Sequence, residues 1–403
     1  SGSADVAVAV IDSGMQLDHP DLAPNVFVNP GEIAGNGFDD DGNGLIDDVN
    51  GWDFHAGDAL PEDTLGHGTA MSGIVAAAGD NGIGIAGTAW QSRLIPLKAG
   101  NDLLPWSVIG QAIDYVVWLK GQGIKVAAIN NSYAGEIENA EELDILYRAI
   151  GRARDADILF VAAAGNGATG GQDNDGKTNG KSQHVYPSDY DLDNILSVAA
   201  TDLSDVLSPT SNYGAVSVDM AAPGVSVFTT SKGGGYAEVS GTSCSSARVA
   251  GAAALLKSVN PNFGYGQLKY LIINNAQLSI DLIGRLANPA RLDLSAAPIE
   301  ARTYPEIGWK DGGEAIFARE GEAITLEANA SDFDGQIARV EWWADGVLLA
   351  ADTDGSDGWM FTWLPGSGET RLQLSALDFD EKFVNTGSRI ARIMHRFDHW
   401  RYE

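Results

Sequence analysis

Aspartate, histidine and serine each sit in a glycine-flanked turn of this 403-residue chain, in Asp12-Ser13-Gly14, Gly66-His67-Gly68-Thr69 and Gly241-Thr242-Ser243. A serine hydroxyl is a poor nucleophile at neutral pH and needs an adjacent base, for which imidazole titrates in the useful range. The imidazole in turn needs a carboxylate to fix its tautomer and stabilise its protonated form. A fourth stretch, Ala162-Ala163-Ala164-Gly165-Asn166, ends in an amide that can donate to the oxyanion of a tetrahedral intermediate. Singly these are weak signals. Asp-Ser-Gly is an ordinary turn, a histidine between glycines caps helices, and Gly-Thr-Ser is common. Their weight comes from where they fall.

Residues 6–11 read as a strand apolar on both faces, and Asp12 ends it. His67 opens an apolar helix over 70–78. Ser243 opens a second, rich in small residues, over 244–257. A helix N-terminus favours developing negative charge. Between them alternate a strand at 93–97, a helix at 107–120 with Ser107 as its N-cap, a strand at 126–129, a helix at 141–154 and a strand at 158–163. That alternation predicts an α/β fold, a parallel sheet flanked by helices. Such sheets carry their sites beyond the carboxyl ends of the strands, where these motifs lie.

Val8-Ala9-Val10-Ile11-Asp12-Ser13-Gly14 with His19-Pro20-Asp21-Leu22 resembles the aspartate motif of the subtilase family. Gly66-His67-Gly68-Thr69 resembles its histidine motif, Gly241-Thr242-Ser243 with Val249-Ala250-Gly251 its serine motif, and Ala164-Gly165-Asn166 its oxyanion segment. The resemblance covers about residues 4–295 and keeps the family order Asp, His, Ser. It implies a subtilisin-like fold and endoproteolysis through an acyl-enzyme. Asp12 would orient, His67 shuttle the proton and Ser243 attack, with Asn166 and the Ser243 amide holding the oxyanion. It also implies that Asn131 to Gly135, with Ser132, Tyr133 and Ala134, pairs with substrate backbone. Ala162, Ala163, Ala164 and Gly165 would wall the P1 pocket, and Val185 would floor it and favour moderate-size apolar P1 residues. Trp106 is expected either in a farther apolar pocket or as a helix-start anchor. Four positions depart from the pattern: Cys244 stands for Met, Ala247 and Arg248 for Pro and His, and Ala70 for His. None is a reacting group. Cys244 is either a small buried hydrophobe or a thiol through which a mercurial blocks the site. His19 is expected to be structural, and His55 and His184 carry no partner signal.

Asp39-Asp40-Asp41-Gly42-Asn43-Gly44-Leu45-Ile46-Asp47 reads like an EF-hand-type calcium loop. The expected ligands are Asp39, Asp41, Asn43, the Leu45 carbonyl and Asp47, with Gly44 at the sharp turn and Ile46 as inward anchor. Asn50 stands where the bidentate Glu would be, and no flanking helix pair is evident. Asp173, Asp175, Asp332, Asp334, Asp378 and Asp380 give weaker signals for further ions.

The domains are expected at 1–298 for the peptidase unit and 306–403 for a second unit, with 299–305, including Thr303-Tyr304-Pro305, as linker. Strands at 323–328, 337–343, 347–350, 359–363, 371–376 and 388–394 predict a small all-β immunoglobulin-like sandwich. Ala330-Ser331-Asp332-Phe333-Asp334-Gly335 and Val340-Glu341-Trp342-Trp343-Ala344-Asp345-Gly346 resemble bacterial Ig-like repeats. Alternation places at least two of Trp342, Trp343, Trp359 and Trp363 in its core rather than in an exposed stripe.

The net charge of −30, from 25 basic and 55 acidic residues, repels nucleic acid and anionic lipid. The expected partner is therefore a protein or peptide substrate, with an inhibitory pro-region removed on maturation and a monomer as the working unit. One cysteine permits no intrachain disulfide, and metal ions are the expected loop staples of a secreted, extracellular protein. A catalytically inactive calcium-dependent binding or adhesion protein is the rival reading. Transpeptidation by the same triad is a third.

Overall fold

Six segments that are apolar on both faces have no stable place except between two layers of helices. They are β1 (Val6–Asp12), β2 (Arg93–Lys98), β3 (Lys125–Asn131), β4 (Leu159–Ala163), β5 (Ile195–Thr201) and β6 (Met220–Pro223). The computed structural model describes residues 1–137, 139–178, 181–182, 184–301, 306–310, 316–319, 323–331, 337–365, 368–378, 382–385 and 389–394. In it these segments form the centre of a nine-stranded sheet. The order is Gln277–Leu278, Ala290–Arg291, β6, β5, β4, β3, β1, β2, Trp52–Asp53. All neighbours are parallel except the outermost pair, Gln277–Leu278 with Ala290–Arg291.

After β1 the chain pairs first on one side, with β2, and then on the other, with β3. Strand order therefore reverses at the β1/β3 junction, and a crevice opens there at the carboxyl ends. Helices α2 (Trp106–Gly121) and α3 (Ala140–Asp155) cover one face, where Ile109, Ile113, Leu146 and Ile150 pack on Ile11, Ile95, Ile129 and Phe160. On the other face α4 (Thr242–Val259) packs along β3, β4 and β5 and against α1 (His67–Ala76). The alanines, serines and glycines of α4 let a nearly all-buried helix lie close to the sheet.

The expected helices are found with shifted ends. Ser107 is not the N-cap of α2: Pro105 is, with no side-chain bond, and the helix starts on Trp106. The Pro105 carbonyl instead accepts from the Val108 and Ile109 amides, both at 3.0 Å. On α3, Asn139 caps by accepting from the Glu141 amide at 2.9 Å. Among the described residues no helix is long and apolar enough to cross a membrane.

The chain separates into two compact units, Ser1–Val259 with Tyr265–Pro298, and Ile299–Glu403 with Asn260–Gly264. A short helix, Ala297–Ala301, occupies the start of the stretch expected as linker. In the second unit, one sheet joins Glu306–Trp309, Ile324–Ser331 and Trp359–Trp363. The other joins Ile316–Arg319, Arg389–Met394, Gly368–Asp378, Ile337–Ala344 and Val347–Asp352, with Phe383–Asn385 on Gly368–Asp378. Trp342 and Trp363 are buried with Leu326, Val340 and Leu374. Trp343 is half-buried and donates its indole N–H to Ser375.

Candidate active site

Asp12 ends β1 at the strand-order reversal and is buried. Its Oδ1 lies 2.8 Å from His67 Nδ1. The approach depends on Gly68, where a Cβ would fall 2.0 Å from the Gly14 carbonyl oxygen and 3.1 Å from Asp12 Cβ. It also depends on Gly66, the α1 N-cap, whose φ of 100° strains any side-chain-bearing residue. The Asp12 charge holds the His67 imidazole above its ordinary 6.5, against partial burial, and Asp63 adds to the rise.

Sequence reasoning missed Asp63. Its buried carboxylate accepts from Ser13 Oγ at 2.9 Å and from the Leu65 and Gly66 amides at 2.9 and 2.8 Å. It also accepts from the Thr69 amide and hydroxyl at 2.8 and 2.7 Å. Ser13 Oγ accepts from the Gly68 amide at 3.0 Å, so one carboxylate ties the Asp12 turn to the start of α1. Its signal was an acidic residue four before His67, at a helix start.

Ser243 stands in the first turn of α4 and donates its hydroxyl to the Ser132 carbonyl at 2.8 Å. Among the described residues no hydrogen bond joins it to His67. Ser132 follows β3 directly, and its own hydroxyl lies 3.0 Å from the Ser243 carbonyl. The Asn166 carbonyl Oδ1 accepts from the Thr242 amide at 3.0 Å and from its hydroxyl at 3.3 Å. That fixes which way the side-chain amide faces, and its Nδ2 makes no hydrogen bond among the described residues.

Of the expected groove residues, Gly135 has its main chain engaged: it donates to Tyr186 at 3.0 Å and accepts from it at 2.8 Å. The main-chain groups of Tyr133 and Ala134 have no such partner among the described residues. At Gly165, a Cβ would fall 3.2 Å from Val185 Cγ1 and 3.4 Å from Ala134 Cβ, so these three residues meet. Ala163, Ala164 and Val185 are buried. Trp106 packs beside Tyr133, with ring centroids 6.1 Å apart, and leans on the α2/α3 core.

In the acidic loop, Asp39 and Asp41 come together with Glu32, their oxygens within 4.8 Å of one another. Glu32 lies upstream of the recognised loop, which is why its part was missed. Its Oε1 accepts from the Asp40 and Asp41 amides at 2.9 and 3.2 Å, while Oε2 is buried without a partner. The Asn43 side chain bridges the Leu45 amide, at 2.7 Å, and Asp48. Asp47 is not in the cluster: its carboxylate accepts from the Asn36 and Gly37 amides at 3.1 and 2.9 Å. Ile46 is not the inward anchor. It is 52% exposed, and Leu45 packs on the core instead. With no helix pair beside the loop, the residue that turns inward is the one facing α2 and the sheet.

Asp175 is occupied by the Val216 and Ser217 amides at 2.7 and 3.0 Å, and Asp173 by the Asp175 amide at 3.1 Å. Asp332, Asp334 and Asp380 lie outside the described residues, as does the Asp378 side chain. His19 is fully buried and bonds the Gly235 carbonyl at 2.9 Å. His184 does have a partner, Asp189 Oδ2, at 3.5 Å. Cys244 is buried, which pushes its thiol up to about 11.

The family model described as the subtilase family matches residues 3–314, and that described as a bacterial Ig domain matches 314–376. Subtilisin-like protease 1 of Plasmodium vivax is 32% identical over 325 residues, covering 76% of this chain and 50% of that protein. The chain thus spans about half the length of that relative. Thermitase of Thermoactinomyces vulgaris is 34% identical, covering 62% of this chain and 74% of thermitase. The solved structure of the S41 psychrophilic protease superposes with a TM-score of 0.59 at 25% identity, over 73% of this chain and 93% of that one.

Proposed function

The chain belongs to the subtilase family, and from that premise we propose that it is a serine endopeptidase cleaving peptide bonds through an acyl-enzyme on Ser243. The observation that carries this reading is the convergence at the β1/β3 reversal. His67 Nδ1 is held by Asp12 at 2.8 Å, and Ser243 is bonded to the residue that follows β3. A peptide entering as an added strand brings a main-chain N–H to the Ser132 carbonyl and displaces the Ser243 hydroxyl from it. The freed hydroxyl then gives its proton to His67 as Oγ attacks the scissile carbonyl. Asp12 stabilises the imidazolium. Asn166 Nδ2 and the Ser243 amide donate to the oxyanion; in subtilisin, removing the asparagine costs about 10²–10³ in kcat. Collapse passes the proton from His67 to the leaving amine, and water repeats the steps to release the acid. Val185, beside Gly165 and Ala134, would floor a shallow P1 pocket and favour moderate-size apolar residues.

The acidic loop fits calcium. Hard carboxylate oxygens converge, and Glu32 Oε2 is buried without a partner. Glu32, Asp39 and Asp41 would hold the ion, with the Asn43 side chain and the Leu45 carbonyl in the same loop. Bound calcium would offset the repulsion among these carboxylates and brace the loop, with no part in the reaction. A loop braced in this way would suit a secreted enzyme, which works where calcium is plentiful.

The test is labelling with a fluorophosphonate and peptide mapping, with Ser243→Ala as control. Label on Ser243 alone is expected. A folded, calcium-loaded sample that takes no label moves the inactive binding-protein reading to the front.

A further inference from the structure

Behind the floor of the P1 pocket lies a carboxylate that the proposed chemistry does not use. Asp189 is 1% exposed at its side chain. Its Oδ2 accepts from the Val185 amide at 2.8 Å, and its Oδ1 from Ser188 Oγ at 3.2 Å and Asn174 Nδ2 at 3.4 Å. The same Asn174 Nδ2 donates to the Ala164 carbonyl at 3.0 Å. Asp189 therefore links Val185, the floor, to Ala164, the wall, through one buried amide. Asn174 Oδ1 is buried and has no partner.

The Val185 amide and Asn174 Nδ2 can only donate to Asp189, and the Ser188 hydroxyl donates to it as well, an arrangement that suits a carboxylate better than a carboxylic acid. A protonated Asp189 carries an O–H that needs an acceptor, and the nearby buried acceptor without a partner is Asn174 Oδ1. Turning the Asn174 amide over to meet it removes Nδ2 from the Ala164 carbonyl and cuts the tie between wall and floor.

Building on the peptidase reading, we propose that Asp189 is a positioning residue that sets the width of the P1 pocket, and that its protonation releases the Ala164 wall and admits larger P1 side chains. Burial pushes the Asp189 carboxyl up to about 6, against the lowering contributions of the Val185 and Ser188 hydrogen bonds and of His184. The change of state thus falls within the range where a peptidase can be assayed. Among the described residues the titratable groups facing Asp189 are His184, 3.5 Å away, and Tyr186. Tyr190, tilted against Tyr186 with ring centroids 4.6 Å apart, turns its hydroxyl away and donates it to the Leu143 carbonyl at 2.8 Å.

The experiment offers the enzyme two peptides in competition, alike except for Val or Phe at P1, from pH 5 to 8. The ratio of their kcat/KM values is free of the His67 titration, because both substrates meet the same free enzyme. The Phe-to-Val ratio is expected to rise as pH falls, with a midpoint near 6, by roughly tenfold, the low end of what one methylene of pocket space is worth. In Asp189→Asn the ratio is expected to be independent of pH. In His184→Gln the midpoint moves upward, because the lowering influence of His184 is lost. Should the asparagine variant fail to fold, the wild-type midpoint and its displacement in His184→Gln still decide. A flat wild-type ratio while both peptides are cleaved overturns the proposal, as does a pH dependence that survives in Asp189→Asn. Cleavage of neither peptide at any pH would instead remove the peptidase reading on which it rests.

Discussion

The environment of His67 sets the pH at which the proposed chemistry can run. Its imidazole is raised above 6.5, chiefly by the Asp12 charge. A base must be neutral to take the Ser243 proton, and a raised value means the ring takes up its own proton sooner as pH falls. Activity is therefore present above the folded-state value and lost as pH drops through it. The acid limb of kcat/KM is expected to have its midpoint above 6.5. Asp12→Asn removes the charge and is expected to bring the midpoint down to 6.5 or below, while kcat falls about 10⁴-fold through loss of the correct tautomer. A variant that loses turnover and keeps its midpoint would show that Asp12 orients the ring without raising it. The neighbouring thiol of Cys244 adds no chemistry near neutral pH, since burial pushes it up to about 11.

At the level of elements, Asp63 fastens the Asp12 turn to the start of α1, accepting from three amides and two hydroxyls. An asparagine there puts an NH₂ against at least one of those donors. Asp63→Asn is expected to cost about 2–4 kcal/mol, a loss of roughly 5–10 °C in Tm for a domain of this size, and to lower kcat as His67 loses its support. An unchanged melt would mean the network is incidental. The acidic loop is an element in the same sense. Calcium at a hundred times its Kd stabilises by about 2.7 kcal/mol, so a chelator is expected to lower Tm by roughly 5–10 °C, and Glu32→Gln to shrink that drop. Equal drops in both proteins would place the stabilising ion elsewhere. The strands were legible because segments buried on both faces, such as Val6–Asp12, must be apolar throughout. The Asp12 and Asn166 motifs were legible because each lies at or just past the end of such a strand, and those of His67 and Ser243 because each opens an apolar or small-residue helix. Asp63, Glu32 and the Asp189–His184 pair were not, since their partners lie across a turn or on another segment and no periodicity marks them. The inward choice of Leu45 over Ile46 is likewise made by the surface the loop rests on.

For the whole molecule the dominant quantity is charge, −30 from 25 basic and 55 acidic residues. A surface so one-sided raises the local concentration of cations, and steering of this kind changes association by about 10- to 10³-fold. The effect enters kcat/KM whether or not association limits the rate, because that constant spans free enzyme and free substrate to the transition state. Salt removes it, since the Debye length is about 10 Å at 0.1 M. For a peptide flanked by lysines, kcat/KM is expected to fall about tenfold or more as ionic strength rises at fixed calcium. The same core flanked by glutamates should gain activity over that range, and a neutral peptide should change little. Calcium is held constant because bound ions neutralise part of the charge under test. Equal salt slopes for all three peptides would mean that the acidic surface lies away from the cleft and serves solubility alone. Opposite slopes would mean that the field of the whole chain selects basic stretches of substrate before any P1 side chain is read.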